Sequence, residues 1–525
     1  MRCRFALAVA LALVAAGRSE AQTRLNLPTT PERTKYEETS KYEDVMTFLR
    51  AVDQASQLIR LDSMGKTFEN RTMPLAVVGT MNATTPQAVQ GTGKLRIYLQ
   101  GNIHAGEVEG KEVLQMLLRE IAEGQHREWL DSLVLLVNPI YNADGNERFN
   151  IRNRGRQHGP VRGMGQRPNA QGFDLNRDHM RLESPEAKAV VSMMARYDPQ
   201  VGVDLHTTNG SQHGYFLTYA PPLHPSTASP IIELLRERMF PHITRNVQQK
   251  HGMDFYYYGN FAGRDTTQRA WATFEHVPRF NNNYVGLRNR IGILSEAYSY
   301  ATFEDRIKAT YHFVTEILDY AYRNASELRR IVEQVDRTSV VGQQLSARSE
   351  LDRTGKPATI LVGEVIREAN PYSGDTIYRR ADVKRPVQMM EYGTFRPTEQ
   401  VTAPRAYFIP PVWVGRIGAT LQYHGVRARP LTRDTSLTVE RFRIDSTTVA
   451  TQPFQGHRQR TLWGQYEVAT ADFPAGTLVV DLNQPLGRLA FFLLEARSDD
   501  GFVNWNFFDP EIQTERYYPV VRALR

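Results

Sequence analysis

The spacing of hydrophobic positions changes near residue 345, and this change predicts two kinds of structure. Before that point, short apolar runs such as "LRIYLQ", "LVLLVNPI", "VGVDLHTT" and "IGILSEAYSY" alternate with periodic runs such as "VLQMLLREIAE" and "PEAKAVVSMMARY". The short runs are typical of buried strands, and the periodic runs are typical of helices that pack on a sheet. The alternation therefore predicts an α/β domain with a largely parallel or mixed sheet over residues 22–345.

The second half of the chain has a different pattern. Its apolar runs, "TILVGEVI", "TSLTVERFRI", "GTLVVDL" and "GRLAFFLLEA", are typical of strands, and one helical stretch, "VGRIGATLQYHG", interrupts them. We expect residues 350–525 to form a separate β-rich, sandwich-like domain. Two further helical patterns are "YEDVMTFLRAVDQAS" near the N-terminus and "FEDRIKATYHFVTEILDYAYRNASELRRIVEQV" at the end of the first domain.

The first 21 residues differ from the rest of the chain. A short basic start, "MRCR", precedes a 12-residue apolar core and the small residues of "SEA". This pattern predicts a cleaved signal peptide over residues 1–21, and the apolar core is too short to span a bilayer. An N-terminal membrane anchor is the alternative. Cleavage would remove Cys3, the only cysteine, so we expect a disulfide-free exported protein, either periplasmic or secreted and of bacterial type.

The net charge of the chain excludes few classes of partner, and it does not by itself indicate a nucleic-acid partner. The formal net charge is +7, and the basic residues are spread along the chain. We therefore expect no nucleic-acid partner and no stable membrane insertion after signal cleavage. The oligomeric state is left open.

Candidate chemistry begins at "GNIHAGEVEGKE", where a predicted strand ends and a helix begins. His104 and Glu107 form the only His-x-x-Glu pair in the chain, and roughly one such pair is expected by chance among 13 histidines. Its position strengthens the motif, because α/β sheets bind ligands at the carboxyl ends of their strands. Metal ligation is one interpretation, and a charged helix start is another.

Two more predicted strands end in polar side chains. In "VGVDLHTT", the period of 2 puts Asp204 and His206 on one face. A hydrogen-bonded core histidine is the alternative for His206, but two histidines and a carboxylate make a zinc set that leaves one position open for water. Glu296 stands near the end of "IGILSEA"; a buried salt bridge with Arg288 or Arg290 is the alternative to a functional role.

The loop "GFDLNRDHMRLESPEA" follows a glycine-rich, arginine-rich segment. An arginine beside an asparagine, as in Asn176 and Arg177, can bind a carboxylate through paired hydrogen bonds. The upstream segment contains six arginines: Arg148, Arg152, Arg154, Arg156, Arg162 and Arg167. We expect most of the six to lie on a solvated basic face.

The motifs "HAGE", "YNADGNE", "RNRGR", "DLNRD", "DLHTT" and "LSEA" occur in the order seen in zinc carboxypeptidases, the family that includes the pancreatic enzymes. The resemblance covers roughly residues 40–330 and takes in "GKTFENRTMPLAV". Residues 350–525 are similar to the C-terminal β region of some secreted bacterial members. The chain departs from the family at Gly106, where many members have an arginine, and at Asp178, where many have an asparagine; we expect the latter to affect how substrate charge is recognised.

The resemblance implies a role for each matching residue. It makes His104, Glu107 and His206 the ligands of one Zn²⁺ per chain, and Glu296 the general base. Asp174 would orient the first histidine. Asn176 and Arg177 would hold the substrate's terminal carboxylate. Arg152, with Arg154 as the second choice, would polarise the scissile carbonyl, and Tyr284 would be the substrate-contacting tyrosine.

These roles predict an exported zinc metallocarboxypeptidase. Its substrates would be peptides with a free C-terminal carboxylate, with cell-wall stem peptides as one class, and hydrolysis would use a zinc-activated water and a glutamate base. A zinc amidase, deacylase or endopeptidase on the same scaffold is the first alternative. A non-catalytic peptide- or glycan-binding protein is disfavoured because both histidines, Glu107 and Glu296 are present.

Overall fold

The computed structural model describes residues 25–262, 270–509, 512 and 516–523. The predicted signal peptide lies outside these residues. The described residues before position 300 form ten strands: β1 (Ile59–Lys66), β2 (Thr72–Val78), β3 (Leu95–Gly101), β4 (Leu133–Asn138), β5 (Val201–Thr207), β6 (Leu217–Ala220), β7 (Phe255–Tyr257), β8 (Asn260–Ala262), β9 (Ala270–Ala272) and β10 (Ile291–Ala297).

Twelve helices accompany these strands in the described residues: α1 (Thr30–Arg33), α2 (Tyr42–Ala55), α3 (Pro86–Gly91), α4 (Glu109–Ala122), α5 (Trp129–Ser132), α6 (Ala143–Asn146), α7 (Pro185–Tyr197), α8 (Ser229–Glu233), α9 (Phe240–His251), α10 (Asn281–Leu287), α11 (Phe303–Arg323) and α12 (Ala325–Arg337). A 3₁₀ turn covers Leu175–Arg177, and a π-helical segment, Leu234–Met239, joins α8 to α9. The long helical pattern predicted before residue 340 forms two helices, because the backbone leaves the helical conformation at Asn324.

Eight strands form one mixed sheet in the order β1-β2-β4-β3-β5-β10-β6-β7. Strands β4, β3, β5 and β10 are mutually parallel, whereas β1, β2 and β6 join the sheet through antiparallel pairs. Apolar side chains cover both faces, so the central strands are buried throughout. Such two-sided burial explains why their sequences are continuous apolar runs. The α/β prediction with a mixed sheet is confirmed.

The C-terminal region is β-rich, as predicted. Its strands are β11 (Gln344–Leu351), β12 (Lys356–Val362), β13 (Val365–Ala369), β14 (Thr376–Arg380), β15 (Arg385–Tyr392), β16 (Phe395–Thr402), β17 (Ala406–Ile409), β18 (Arg429–Pro430), β19 (Thr435–Val449), β20 (Arg460–Phe473), β21 (Leu478–Asp481) and β22 (Val521–Ala523). Six of them form a sheet in the order β18-β21-β17-β22-β19-β20. Two helices, α13 (Pro411–His424) and α14 (Gly487–Leu494), lie among them.

The strand predicted over "GRLAFFLLEA" is wrong, because this segment is helix α14. All eight of its residues are buried. A helix that is apolar on every side has no 3.6-residue pattern, so periodicity cannot distinguish it from a buried strand. The helix predicted over "VGRIGATLQYHG" is confirmed as α13.

The two regions share packing. One hydrophobic cluster contains residues of the main sheet, such as Tyr98 and Leu136, together with Leu421 of α13 and Phe492 of α14. Strand β15 also pairs in parallel with β9, which comes from the first region. The C-terminal region therefore packs directly against the part of the chain that carries the predicted site. Domain limits at residues 22–345 and 350–525 stay a prediction.

Candidate active site

Parallel strands bring the predicted metal ligands to one edge of the sheet. His104 and Glu107 lie between the end of β3 and the start of α4, and His206 is the sixth residue of β5, the strand beside β3. Because parallel strands end at the same edge, residues separated by about a hundred positions become neighbours. All three side chains are buried.

The three side chains aim their ligand atoms at one another. His104 Nδ1 lies 3.2 Å from His206 Nδ1 and 3.1 Å from Glu107 Oε1, and His206 Nδ1 lies 2.9 Å from Glu107 Oε2. Two ligands bound tetrahedrally to Zn²⁺ at its usual bond lengths would be about 3.4 Å apart. The donor types and their spacing thus fit a zinc ion. Among the described residues, this is the one group of three such side chains that could hold a metal.

Carboxylates behind the histidines set which ring nitrogen faces the site. Asp174 Oδ1 lies 3.0 Å from His104 Nε2, and Asp204 Oδ2 lies 2.8 Å from His206 Nε2. A proton on each Nε2 leaves the Nδ1 lone pairs free for a metal. Asp174 thus lies behind His104, and Asp204 lies behind His206.

The charges around Asp174 keep it ionised. Burial raises the pKa of this carboxyl, but the charge and hydrogen bond of His104, with the charges of Arg167 and Arg177, leave the pKa well below its ordinary value. The same balance acts on His206, where burial lowers the pKa but Asp204 and Glu107 raise it well above the usual range.

We expect Asp174→Asn to weaken zinc binding by about 10–100-fold, because the amide cannot hold the His104 proton as a carboxylate does. Competition between the protein and a chromophoric chelator would measure the affinity. The control is Asp382→Asn, a change at a carboxylate that is 94% exposed and does not line the cavity. Equal zinc affinity in Asp174→Asn and wild type would remove Asp174 from the metal site.

Glu296 lies directly opposite His206 in the register of β10 and β5. It is half-buried and lines the same cavity as the three predicted ligands. Burial raises the pKa of Glu296 to about 8; His206, Arg154 and Arg167 oppose this rise, and Glu107 adds to it. The alternative of a salt bridge is not what the structure shows, since Arg288 donates to His424 O and Arg290 pairs with Asp198 and Asp336.

The cavity at this edge has a volume of about 580 Å³. Asn176 and Arg177 both line it. The Arg177 guanidinium lies 3.8 Å from the centre of the Phe280 ring, and its ion pair with Asp174 is long, at 3.9 Å. Arg177 thus presents a cation that no carboxylate in the described part of the chain holds by a hydrogen bond.

Two predicted substrate contacts lie elsewhere. The side chain of Arg152 is 71% exposed, pairs with Asp375 and does not line the cavity. Tyr284 is fully buried, and its hydroxyl bonds to His424 Nδ1 at 2.8 Å, away from the cavity. Their positions do not support the roles that the resemblance implied. The lengths of the loops do not fix which residues of this chain correspond to the family's residues at either point.

Arg154 lies behind the predicted ligands. Its Nη1 donates to Glu107 Oε1 at 2.7 Å, and its Nη2 donates to the carbonyls of Thr207 and Thr208. Gly106 makes room for this side chain, since a Cβ at position 106 would come within 2.8 Å of Arg154 Cδ. The departure from the family at Gly106 therefore accompanies an arginine that holds Glu107 from another loop.

Asp178, the second departure, does not line the cavity. It is fully buried, accepts from Arg181 Nε at 2.8 Å, and also accepts from the backbone amides of Glu183 and Ser184. It thus organises the loop before α7. Its position does not support the expectation that Asp178 affects how the charge of a substrate is recognised.

Sequence reasoning missed several residues of the lining. Arg167 places Nη1 3.2 Å from His104 Nδ1 and 3.4 Å from Glu107 Oε1. Tyr258 follows β7, and burial, together with the Glu296 charge, raises its pKa, so its phenol stays protonated at neutral pH. Other lining residues not singled out are Thr207, Asn209, Phe274, Glu275, Arg279, Phe280, Asn282, Leu294, Phe454 and Gln459. Only Arg167 had a signal in the sequence, as one of the six clustered arginines.

Comparison with known proteins gives the family. The family model described as zinc carboxypeptidase, Peptidase_M14, matches residues 45–326. The chain belongs to the zinc carboxypeptidase family. Its members are peptidases, so the chain is a hydrolase that acts on peptide bonds.

Relatives with curated names agree with this family over most of the chain. "Carboxypeptidase 2" of Trichophyton tonsurans is 26% identical over 454 residues, which is 82% of this chain and 77% of that protein. The Trichophyton rubrum protein of the same name is 24% identical and covers 91% of this chain and 86% of its own length. Human "Carboxypeptidase D" is 29% identical over 28% of this chain and 13% of that protein.

Solved structures include a metallo-carboxypeptidase from Burkholderia cenocepacia. It is 19% identical, covers 55% of this chain and 70% of its own, and has a TM-score of 0.42.

In the described residues of the present zinc carboxypeptidase, no helix combines the length and apolar character needed to cross a bilayer.

Proposed function

We propose that this zinc carboxypeptidase releases the C-terminal residue of peptides, with one zinc ion held by His104, Glu107 and His206. The observation that carries the proposal is one cavity with three converging ligand atoms and Glu296 beside them, and with the Arg177 guanidinium also in its lining. A bound zinc would act as a Lewis acid and lower the pKa of a water. Export as a periplasmic or secreted protein is part of the proposal and rests on the N-terminal apolar core.

Arg177 and Asn176 bind the terminal carboxylate in this proposal. The Arg177 guanidinium can form charge-assisted hydrogen bonds with it. Asn176 Oδ1 accepts from Asn281 N at 2.8 Å, so Nδ2 is the group that can donate to substrate; in the structure Nδ2 lies 3.4 Å from His206 Nε2. A carboxylate held there lies in the same cavity as Glu296.

Glu296 acts as the general base. Its carboxylate takes a proton from the attacking water and passes it to the leaving amine, so the proton count balances across hydrolysis. Arg167, which lies beside two predicted ligands, stabilises the oxyanion, and we prefer it to Arg152 and Arg154 for this role. Tyr258 is a neutral phenol in the same lining and can donate a hydrogen bond to substrate.

A pair of peptides tests the carboxylate site. We expect the wild type to cleave a peptide with a free C-terminus at least about tenfold faster than its C-terminal amide, since a hydrogen bond to a charged group contributes about 1.5–3 kcal/mol. Arg177→Ala should remove most of this difference and keep the wild-type zinc content. Mass spectrometry of timed digests gives both rates.

Arg433→Ala, at an exposed arginine of the C-terminal region, is the control and should keep the wild-type ratio. Equal cleavage of the free and amidated peptides by the wild type would contradict the carboxypeptidase proposal. Release of the terminal amide group or cuts inside the peptide would then favour the amidase or the endopeptidase. Stem peptides of the cell wall can be included in the same assay.

A further inference from the structure

The C-terminal region supplies part of the substrate cavity. Phe454 and Gln459 line it, and both belong to the loop between β19 and β20, residues 450–459, which we call the hairpin loop. These two residues are about 280 positions from Asn176 and Arg177 in sequence. Their place in the lining makes the C-terminal region a direct component of the site.

A tight turn fixes the conformation of the hairpin loop. Phe454 N donates to His457 O at 2.8 Å, and His457 N donates to Phe454 O at 3.0 Å. The two residues between them have positive φ angles, +52° at Gln455 and +84° at Gly456, as a type I′ turn requires. The turn thus fixes the backbone position from which the Phe454 side chain extends.

Three contacts hold this turn against the loop that carries Asn176 and Arg177. Gln455 Oε1 accepts from Asp174 N at 2.9 Å, and Gln455 O accepts from Arg181 Nη1 at 2.8 Å. His457 Nε2 lies 2.7 Å from Glu183 Oε1. Since Asp174 is three residues from Arg177, the turn packs at the carboxylate-binding end of the cavity.

Aromatic rings and charged side chains both line this end of the cavity. Phe274, Phe280 and Phe454 line the cavity. The ring centres of Phe274 and Phe280 are 5.2 Å apart. Arg279 lies 5.2 Å from the Phe454 ring centre, but it is neutralised by Asp500 at 2.7 Å. Glu275, also in the lining, is exposed to water and so attracts a basic side chain only weakly.

We propose that Phe454 is a specificity-determining residue that contacts the side chain of the substrate's C-terminal residue, and that this residue is bulky and apolar. The inference rests on the proposed function, because it takes Arg177 as the carboxylate site. Three phenylalanine rings around one cavity bury an apolar side chain favourably, and a polar or small side chain gains less from them.

The test uses two peptides that differ only in their last residue, phenylalanine or alanine. For each protein, the ratio of kcat/KM values for these peptides is measured. We expect Phe454→Ala to lower the phenylalanine-to-alanine ratio by about fivefold or more, because part of the apolar contact is lost. Phe454→Leu keeps an apolar contact and should stay within about twofold of the wild-type ratio.

Val468→Ala is the matched control, since Val468 is 71% exposed on the same hairpin and does not line the cavity. Phe454→Gln removes the ring while suiting a half-exposed position, and it gives the same test if the alanine variant does not fold. If the wild type releases C-terminal residues but the Phe454→Ala ratio is unchanged or rises, the inference about Phe454 is overturned. If the wild type releases none, the proposed function itself fails.

Discussion

Replacing Glu296 with glutamine is expected to lower kcat by about 10²–10⁴-fold and to leave the zinc content unchanged. Glutamine has nearly the same shape as glutamate, but its amide cannot accept the proton of the attacking water. Glu296 lines the cavity and lies opposite His206, a predicted ligand, in the sheet register. Glu296 is not itself a predicted ligand. The loss should therefore fall on the chemical step.

Steady-state kinetics with a free C-terminal peptide, together with metal analysis of the same samples, measures this prediction. Asp382→Asn serves again as a surface carboxylate control and should keep the wild-type kcat. Wild-type turnover in Glu296→Gln would assign Glu296 a structural role and would require another base. A loss of zinc together with turnover would place Glu296 among the residues that hold the metal.

The second large effect is expected from His104→Ala, which should weaken zinc binding by more than about 100-fold. Changes to residues that only orient a ligand typically cost 10–100-fold, so loss of a ligand itself should cost more. The variant would leave Glu107 and His206 as two ligands, one fewer than a catalytic zinc site needs. Chelator competition measures this affinity without any use of activity.

His251→Ala is the control for this prediction, because His251 is an exposed histidine at the end of α9. It should bind zinc as the wild type does. Wild-type zinc affinity in His104→Ala would show that the metal binds somewhere else, and the triad would lose its assigned role. Circular dichroism of both variants separates a metal effect from a folding defect.

Much of the site could be predicted because strand ends carry local sequence signals. His104, His206 and Glu296 each stand at the end of an apolar run, and the runs are adjacent parallel strands in the sheet. Pattern alone predicted each strand, and the ends of parallel strands meet at one edge. The order of the family motifs then added Asn176 and Arg177, which line the same cavity.

The residues that could not be predicted lie on loops or come from far along the chain. Arg152 and Arg167 belong to one arginine-rich segment, and only the folded loop shows which of them turns to the predicted metal ligands. Tyr258 follows a strand of three residues, too short to give a pattern. Phe454 reaches the cavity because the C-terminal region packs there, and no local pattern encodes such a long-range contact.

The measurement that tests the central claim most directly is a mass-spectrometric analysis of the products that the zinc-loaded wild-type protein makes from a peptide library. The proposed function predicts loss of single residues from free C-termini, abolished by a chelator and restored by zinc. Cuts inside the peptides, or cleavage that continues at the same rate after the zinc is removed, would contradict it.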